Sequence, residues 1–87
     1  MITKKVKIIN ELGIHARPAA KFVKLASQFK SQVYVIKDGI EVNGKSIMGL
    51  MMIAAEKGSI LTLKTFGEDE EEAMNELVNL INNKFEE

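Results

Sequence analysis

The hydrophobic period switches along the whole chain, from two to about 3.6 and back, and this alternation limits what the chain can fold into. Ile2, Lys4, Val6 and Ile8 alternate with Thr3, Lys5 and Lys7, which predicts a half-buried first strand ending near Ile9 with a lysine-rich polar side. Asn10 to Gly13 breaks the pattern. Beyond it Ala19, Phe22, Val23, Ala26 and Phe29 recur at helical spacing around Lys21, Lys24 and Gln28, with Pro18 placed in the first turn, where it costs no helical hydrogen bond. Gln32–Lys37 and Ile40–Asn43 read as two strands joined at Asp38-Gly39, the dipeptide of a type I′ hairpin turn.

Ser46 precedes Ile47–Ala55, expected to be a short helix stopped by a left-handed C-cap at Gly58, and Ser59–Phe66 is expected to be a fourth strand closed by Gly67. Asp69 is placed to cap a last helix with Glu70, Glu71 and Glu72 in its first turn, Met74, Leu77, Val78, Ile81 and Phe85 along its apolar stripe, and Lys84 near its end. The order is βαββαβα. It predicts an α+β, two-layer sandwich: an antiparallel sheet covered on one face by helices, as a single domain over residues 1–87.

Composition removes several classes of function. Twelve basic residues balance twelve acidic ones, so no bulk field draws nucleic acid or an anionic membrane. There is no cysteine, hence no disulfide framework, thiolate metal site or thiol nucleophile, which suits a reducing cytoplasm. No apolar core of signal-peptide length follows the N-terminal lysines, and the longest apolar run, Ile47–Ala55, falls short of the about 20 residues that span a bilayer. The expected localisation is cytoplasmic, with no metal and no cofactor.

The chain's only histidine, only arginine and only proline fall within His15-Ala16-Arg17-Pro18, between Gly13 and the first helix. A lone histidine is most often a cap or a surface residue. Here, however, a neutral imidazole is a competent nucleophile, a helix N-terminus offers free N–H groups to an anion, and a guanidinium matches phosphate oxygens in a planar fork. Together they describe a phosphoryl-accepting site. An arginine contact of about 1.5–3 kcal/mol and a helix end of about 0.3–1 kcal/mol fall far below the roughly 8–23 kcal/mol that enzymes supply. With no P-loop, metal cluster or second histidine as base, a shuttle fits better than a catalyst.

Ser46 reads as an N-cap at which a phosphate would add charge without unfolding the helix it starts. In the methionine-rich run after it, Leu50 and Ile53 are the expected core residues, and Ile47, Met48 and Met51 are expected outside as an adaptable patch. Two other classes remain open at this point. The strand order also suits ferredoxin-like RNA-binding domains, though Tyr34 is the lone strand-interior aromatic. In a regulatory binding module, Ser46 and the methionines would be the whole function and His15 only a cap.

Gly13–Ala20 (GIHARPAA), Lys45–Met51 (KSIMGLM) and Gly67–Ala73 (GEDEEEA) resemble, in register, the HPr family, the histidine-containing phosphocarriers of the bacterial phosphoenolpyruvate:sugar phosphotransferase system. The resemblance implies an open-faced sandwich of four antiparallel strands and three helices. It implies that Nδ1 of His15 receives a phosphoryl group from phosphorylated enzyme I and passes it to enzyme IIA domains, with Arg17 assisting. It further implies that Ser46 is the serine phosphorylated by the HPr kinase/phosphorylase, after which the protein acts with the catabolite control protein. Ile47, Met48 and Met51 match the family's docking patch, and Ala20 and Phe22 are placed beside it on the first helix. No direct nucleic-acid or membrane partner is implied, and a monomer is expected.

Leu12 departs from the small polar residue often found before the glycine, and the Met52–Ala55 run is more apolar than usual. Gly44 stands where the family often has Ala or Leu, and is expected to loosen the approach to Ser46. Relatives used only for regulation lack the histidine, so His15 argues against a purely regulatory paralogue.

Overall fold

A computed structural model describes residues 1–87. Seven main elements follow in order: β1 (Ile2–Lys7), α1 (Ala16–Ala26), β2 (Gln32–Lys37), β3 (Ile40–Asn43), α2 (Ile47–Met52), β4 (Ile60–Phe66) and α3 (Glu70–Asn82), with a one-turn 3-10 segment at Lys84–Glu86. The strands form one antiparallel sheet in the order β1-β4-β2-β3. The βαββαβα order and the helix-covered sheet are as the sequence predicts.

Alternation along the strands makes the sheet one-sided. On the covered face Val6 lies opposite Leu61, Leu63 opposite Val35, and Thr65 opposite Val33. These side chains are buried with Phe22, Leu50, Met74, Leu77 and Ile81 from the helices. On the open face Lys64 sits opposite Tyr34, with its ammonium 5.3 Å from the ring centroid and 2.9 Å from Glu41. The hairpin forms at Asp38-Gly39, where φ is 51° and 81°, the positive pair that a type I′ turn requires.

Five sequence expectations change. The second helix ends at Met52 and not at Ala55. Its left-handed residue is Ala54 (φ 47°), while Gly58 (φ 93°) instead donates its N–H to Ile8 O at 2.7 Å in the turn before β4. Ending early lets the chain bend so that Ile53 and Ala55 enter the core.

The last helix also ends early, at Asn82, so Phe85 is not on its stripe and Lys84 is not in its last turn. Phe85 is nevertheless fully buried. Lys84, Phe85 and Glu86 all take positive φ, and this turn carries the ring back into the core. The first helix stops at Ala26, leaving Phe29 half-buried in the loop beyond.

Asp69 occupies the N-cap position of α3 without capping it. Its carboxylate instead accepts hydrogen bonds from the Ser31 hydroxyl, from Lys30 N at 2.9 Å and from Ser31 N at 2.9 Å, tying the α1–β2 loop to the start of α3. Finally, Gly44 tightens the approach to Ser46 where the sequence suggests loosening. Its N–H donates to Val33 O at 2.7 Å, and a Cβ there would overlap the Val33 side chain.

The Asp69 bonds set a pH dependence. The Ser31 hydroxyl, and next the Lys30 N–H, hold its carboxyl at about 2, below the ordinary 3.8. A depressed folded-state pKa stabilises fully above the unfolded value and is lost as pH falls through the folded one. The stability gap between wild type and Asp69→Ala is therefore expected to be constant from neutral pH down to about 4 and to shrink between about 4 and 2. Denaturant unfolding across that range measures it.

Candidate functional site

His15 is the N-cap residue of α1, with extended backbone (φ −100°, ψ −169°). Its carbonyl accepts from Ala19 N at 3.0 Å, but its imidazole caps nothing, so the ring is free for other work. Pro18 follows in the first turn, as expected, and no acidic residue lies in that turn. The N–H groups of Ala16 and Arg17 have no acceptor within the chain, and the exposed Arg17 guanidinium makes no ion pair. Free N–H groups, a helix dipole and an unpaired fork of donors share one end of α1, a ready anion cradle.

Two features hold the histidine there. Gly13 adopts φ 66°, and a Cβ on it would run into the backbone of Ala55 and Glu56. That close approach lets Ile14 N donate to Ala55 O at 2.8 Å, so the bend after α2 grips the loop before His15. On the other side buried Asn10 donates from Nδ2 to Gly13 O at 2.7 Å.

The ring's two nitrogens differ. Nε2 is closed off from solvent and lies 3.2 Å from Oε2 of Glu87, without in-line hydrogen-bond geometry. Nδ1 is not sealed, on a side chain that is 38% exposed. The cleft beside the ring is lined by Arg17, Glu11, Lys57, Lys84 and Glu87, with exposed Leu12 on its rim. Lys57 pairs with Glu11 at 3.0 Å, and its hydrogen bond and charge hold the Glu11 carboxyl below its ordinary value.

Ser46 is the N-cap of α2, and its hydroxyl accepts from Gly49 N at 3.0 Å. Its neighbour Lys45 reaches across to Phe29 O at 2.8 Å. On α2, which packs against α1, Leu50 and Ile53 are buried as expected, while Ile47, Met48 and Met51 are exposed together with Met52, the last at 76%. Ala20 is exposed on α1. Phe22 corrects the expectation that it sits by the docking patch: it is 2% exposed, because its position on α1 faces the sheet, and belongs to the core.

Sequence reasoning missed Asn10, Lys57, Lys84 and Glu87. Asn10 looked like a strand breaker and Lys84 like the end of a helix, while Lys57 and Glu87 stood in no motif. Only the charges offered a signal, and charge alone gives no direction.

Introducing alanine at Gly13 incurs both a left-handed backbone and an overlap with Ala55. Gly13→Ala is expected to lower stability by about 1–3 kcal/mol and to perturb the His15 ring signals, as thermal unfolding and NMR of the variant would show.

Residues 2–83 match the family model described as the PTS HPr component phosphorylation site. The phosphocarrier protein HPr of Neisseria meningitidis serogroup A is 56% identical over 85 residues, covering 98% of this chain and 96% of the relative. The HPr-like protein Crh of Halalkalibacterium halodurans is 49% identical over 81 residues, covering 93% of this chain and 96% of the relative. In three dimensions the crystal structure of HPr-C-His from Thermoanaerobacter tengcongensis superposes with a TM-score of 0.97 at 49% identity, covering 100% of this chain and 98% of that one.

Proposed function

The chain belongs to the HPr family, relatives in which are named phosphocarriers and not catalysts, and from that membership we propose that His15 is its carrying residue. In this reading the protein takes a phosphoryl group from phosphorylated enzyme I and hands it to enzyme IIA domains during sugar uptake. The lone pair of Nδ1 attacks phosphorus, the new N–P bond forms, and the donor's bond to phosphorus breaks with its electron pair leaving on the donor. The observation that carries the reading is the uncapped imidazole at a helix N-terminus, with Nε2 covered and Nδ1 open.

Arg17 and the free N–H groups of Ala16 and Arg17 would meet the phosphoryl oxygens. Their contribution, about 1.5–3 kcal/mol from the guanidinium and about 0.3–1 kcal/mol from the helix end, suits a relay that must release its cargo as readily as it binds it. Tight binding would trap the group.

A second, regulatory layer rests on Ser46. Its hydroxyl already meets the Gly49 N–H, so a phosphoryl group placed there would retain a donor and change surface charge without refolding the domain. The reading assigns this modification to the HPr kinase/phosphorylase, with the catabolite control protein as the partner of the modified form. Ala20, Ile47, Met48 and Met51, together with Met52, would form the docking surface: flexible thioethers adapt to unlike partners. The protein is read as a cytoplasmic monomer. Both sheet edges support this, since β1 carries Lys4, Lys5 and Lys7 and β3 is four residues long, which disfavours edge-to-edge pairing.

Incubation with phosphoenolpyruvate and enzyme I is expected to give an acid-labile adduct that is absent in His15→Ala; no adduct on the wild type removes the carrier reading. Incubation with ATP and the HPr kinase is expected to give an acid-stable adduct abolished by Ser46→Ala, a variant that also loses about 1 kcal/mol of stability with its cap. No acid-stable adduct leaves the sugar-transport role alone.

A further inference from the structure

The segment after α3 returns to the histidine. Lys84, Phe85 and Glu86 take φ of 56°, 55° and 63°, Phe85 is anchored in the core, and Lys21 Nζ donates to Phe85 O at 2.8 Å. This turn delivers the Glu87 side chain to the loop before α1, where Oε1 accepts from Asn10 Nδ2 at 3.3 Å and Oε2 lies 3.2 Å from His15 Nε2. The second carboxylate lining the cleft, Glu11, is paired with Lys57. Glu87 is therefore the carboxylate facing the ring, with Arg17, Lys57 and Lys84 as the cations around it. The family-model match covers His15 and Asn10 and ends at residue 83, short of Glu87.

We propose that Glu87 is a positioning residue that fixes which imidazole nitrogen reacts, an inference that rests on the carrier reading of His15. A carboxylate 3.2 Å from Nε2, though not in line for a hydrogen bond, sets its negative charge against that nitrogen and so favours the tautomer with its proton there, which leaves the lone pair on Nδ1. The same carboxylate blocks phosphorus from reaching Nε2, which is already sealed from solvent. Nδ1 is then the one nitrogen both unprotonated and open. Once Nδ1 carries phosphorus and Nε2 keeps its proton, the ring is cationic, and Glu87 stands opposite the new charge. Asn10, bonded at once to Gly13 O and to Glu87, holds the carboxylate and the histidine loop in one frame.

Phosphoramidate tests this without any protein partner. The attacking ring lone pair forms the N–P bond, the phosphoramidate P–N bond breaks, and ammonia leaves with that electron pair, taking its proton from solvent. Wild type, Glu87→Ala and Glu87→Gln are treated in parallel, and 15N and 31P NMR identify the phosphorylated nitrogen. In the unmodified proteins the 15N shifts of the ring report the tautomer, and the backbone amide spectrum confirms the fold.

Wild type is expected to give the Nδ1 adduct alone and the Nε2–H tautomer. Loss of that selectivity, with an Nε2 adduct appearing in either variant, supports the role of Glu87. A mixture of isomers in wild type, or Nδ1 adducts alone in both variants, overturns it. A wild-type protein that reacts with phosphoramidate but not with enzyme I would remove the carrier reading while leaving this readout intact.

Discussion

The sheet buries one face only, and the remaining architecture follows from that constraint. A sheet with one apolar side needs helices on that side and can leave the other to water. Val33, Val35, Leu61 and Leu63 supply the apolar side, and α1 and α3 close over it with Phe22, Met74, Leu77 and Ile81. The open side carries Lys64, Tyr34 and Glu41 in polar contact. Because every helix lies on the same side, every strand–helix connection must turn at a sheet end. Those turns carry positive-φ backbone at Gly13, Ala54, Gly58 and Gly67, and the turn after α3 does so at Lys84–Glu86.

The candidate site uses these turns directly. His15 stands at the end of a helix, but the helix alone does not fix the ring. Gly13 against Ala55, the Ile14–Ala55 hydrogen bond and the Asn10–Gly13 hydrogen bond together place it. Two chain segments distant in sequence, Asn10–Ile14 and Ala55–Glu56, therefore meet at the loop that carries the imidazole. The cradle they form is shallow and exposed, with one guanidinium and two free N–H groups. Such a site would hold an anion lightly, which suits the carrier reading. The apolar surface of α2 lies on a helix packed against α1 and is continuous in the chain with the Ala55 contact.

Some of this was legible residue by residue. Asp38-Gly39 makes its turn because only two backbone positions matter, and Ser46 caps α2 because a cap reaches just three residues ahead. The cluster of His15, Arg17 and Pro18 was visible because rare side chains fell together. Asp69 was placed correctly at a helix start, yet its carboxylate turned to Ser31 and Lys30, which lie far back in the chain. Phe22 followed the helical period into the core, although the family resemblance had placed it beside the docking patch.

The amino-acid sequence by itself determined the element types, their order, the hairpin and the grouping of His15, Arg17 and Pro18 at the start of α1. Each depends on periodicity, propensity or caps that act within about four residues. Only the tertiary structure decided where α2 and α3 stop, which way Asp69 points, that Gly44 packs on Val33, and that Glu87 meets His15. In each case the deciding partner is a long-range neighbour. A helix ends early when burying Ile53, Ala55 or Phe85 in a core built by other elements is worth more than another helical turn.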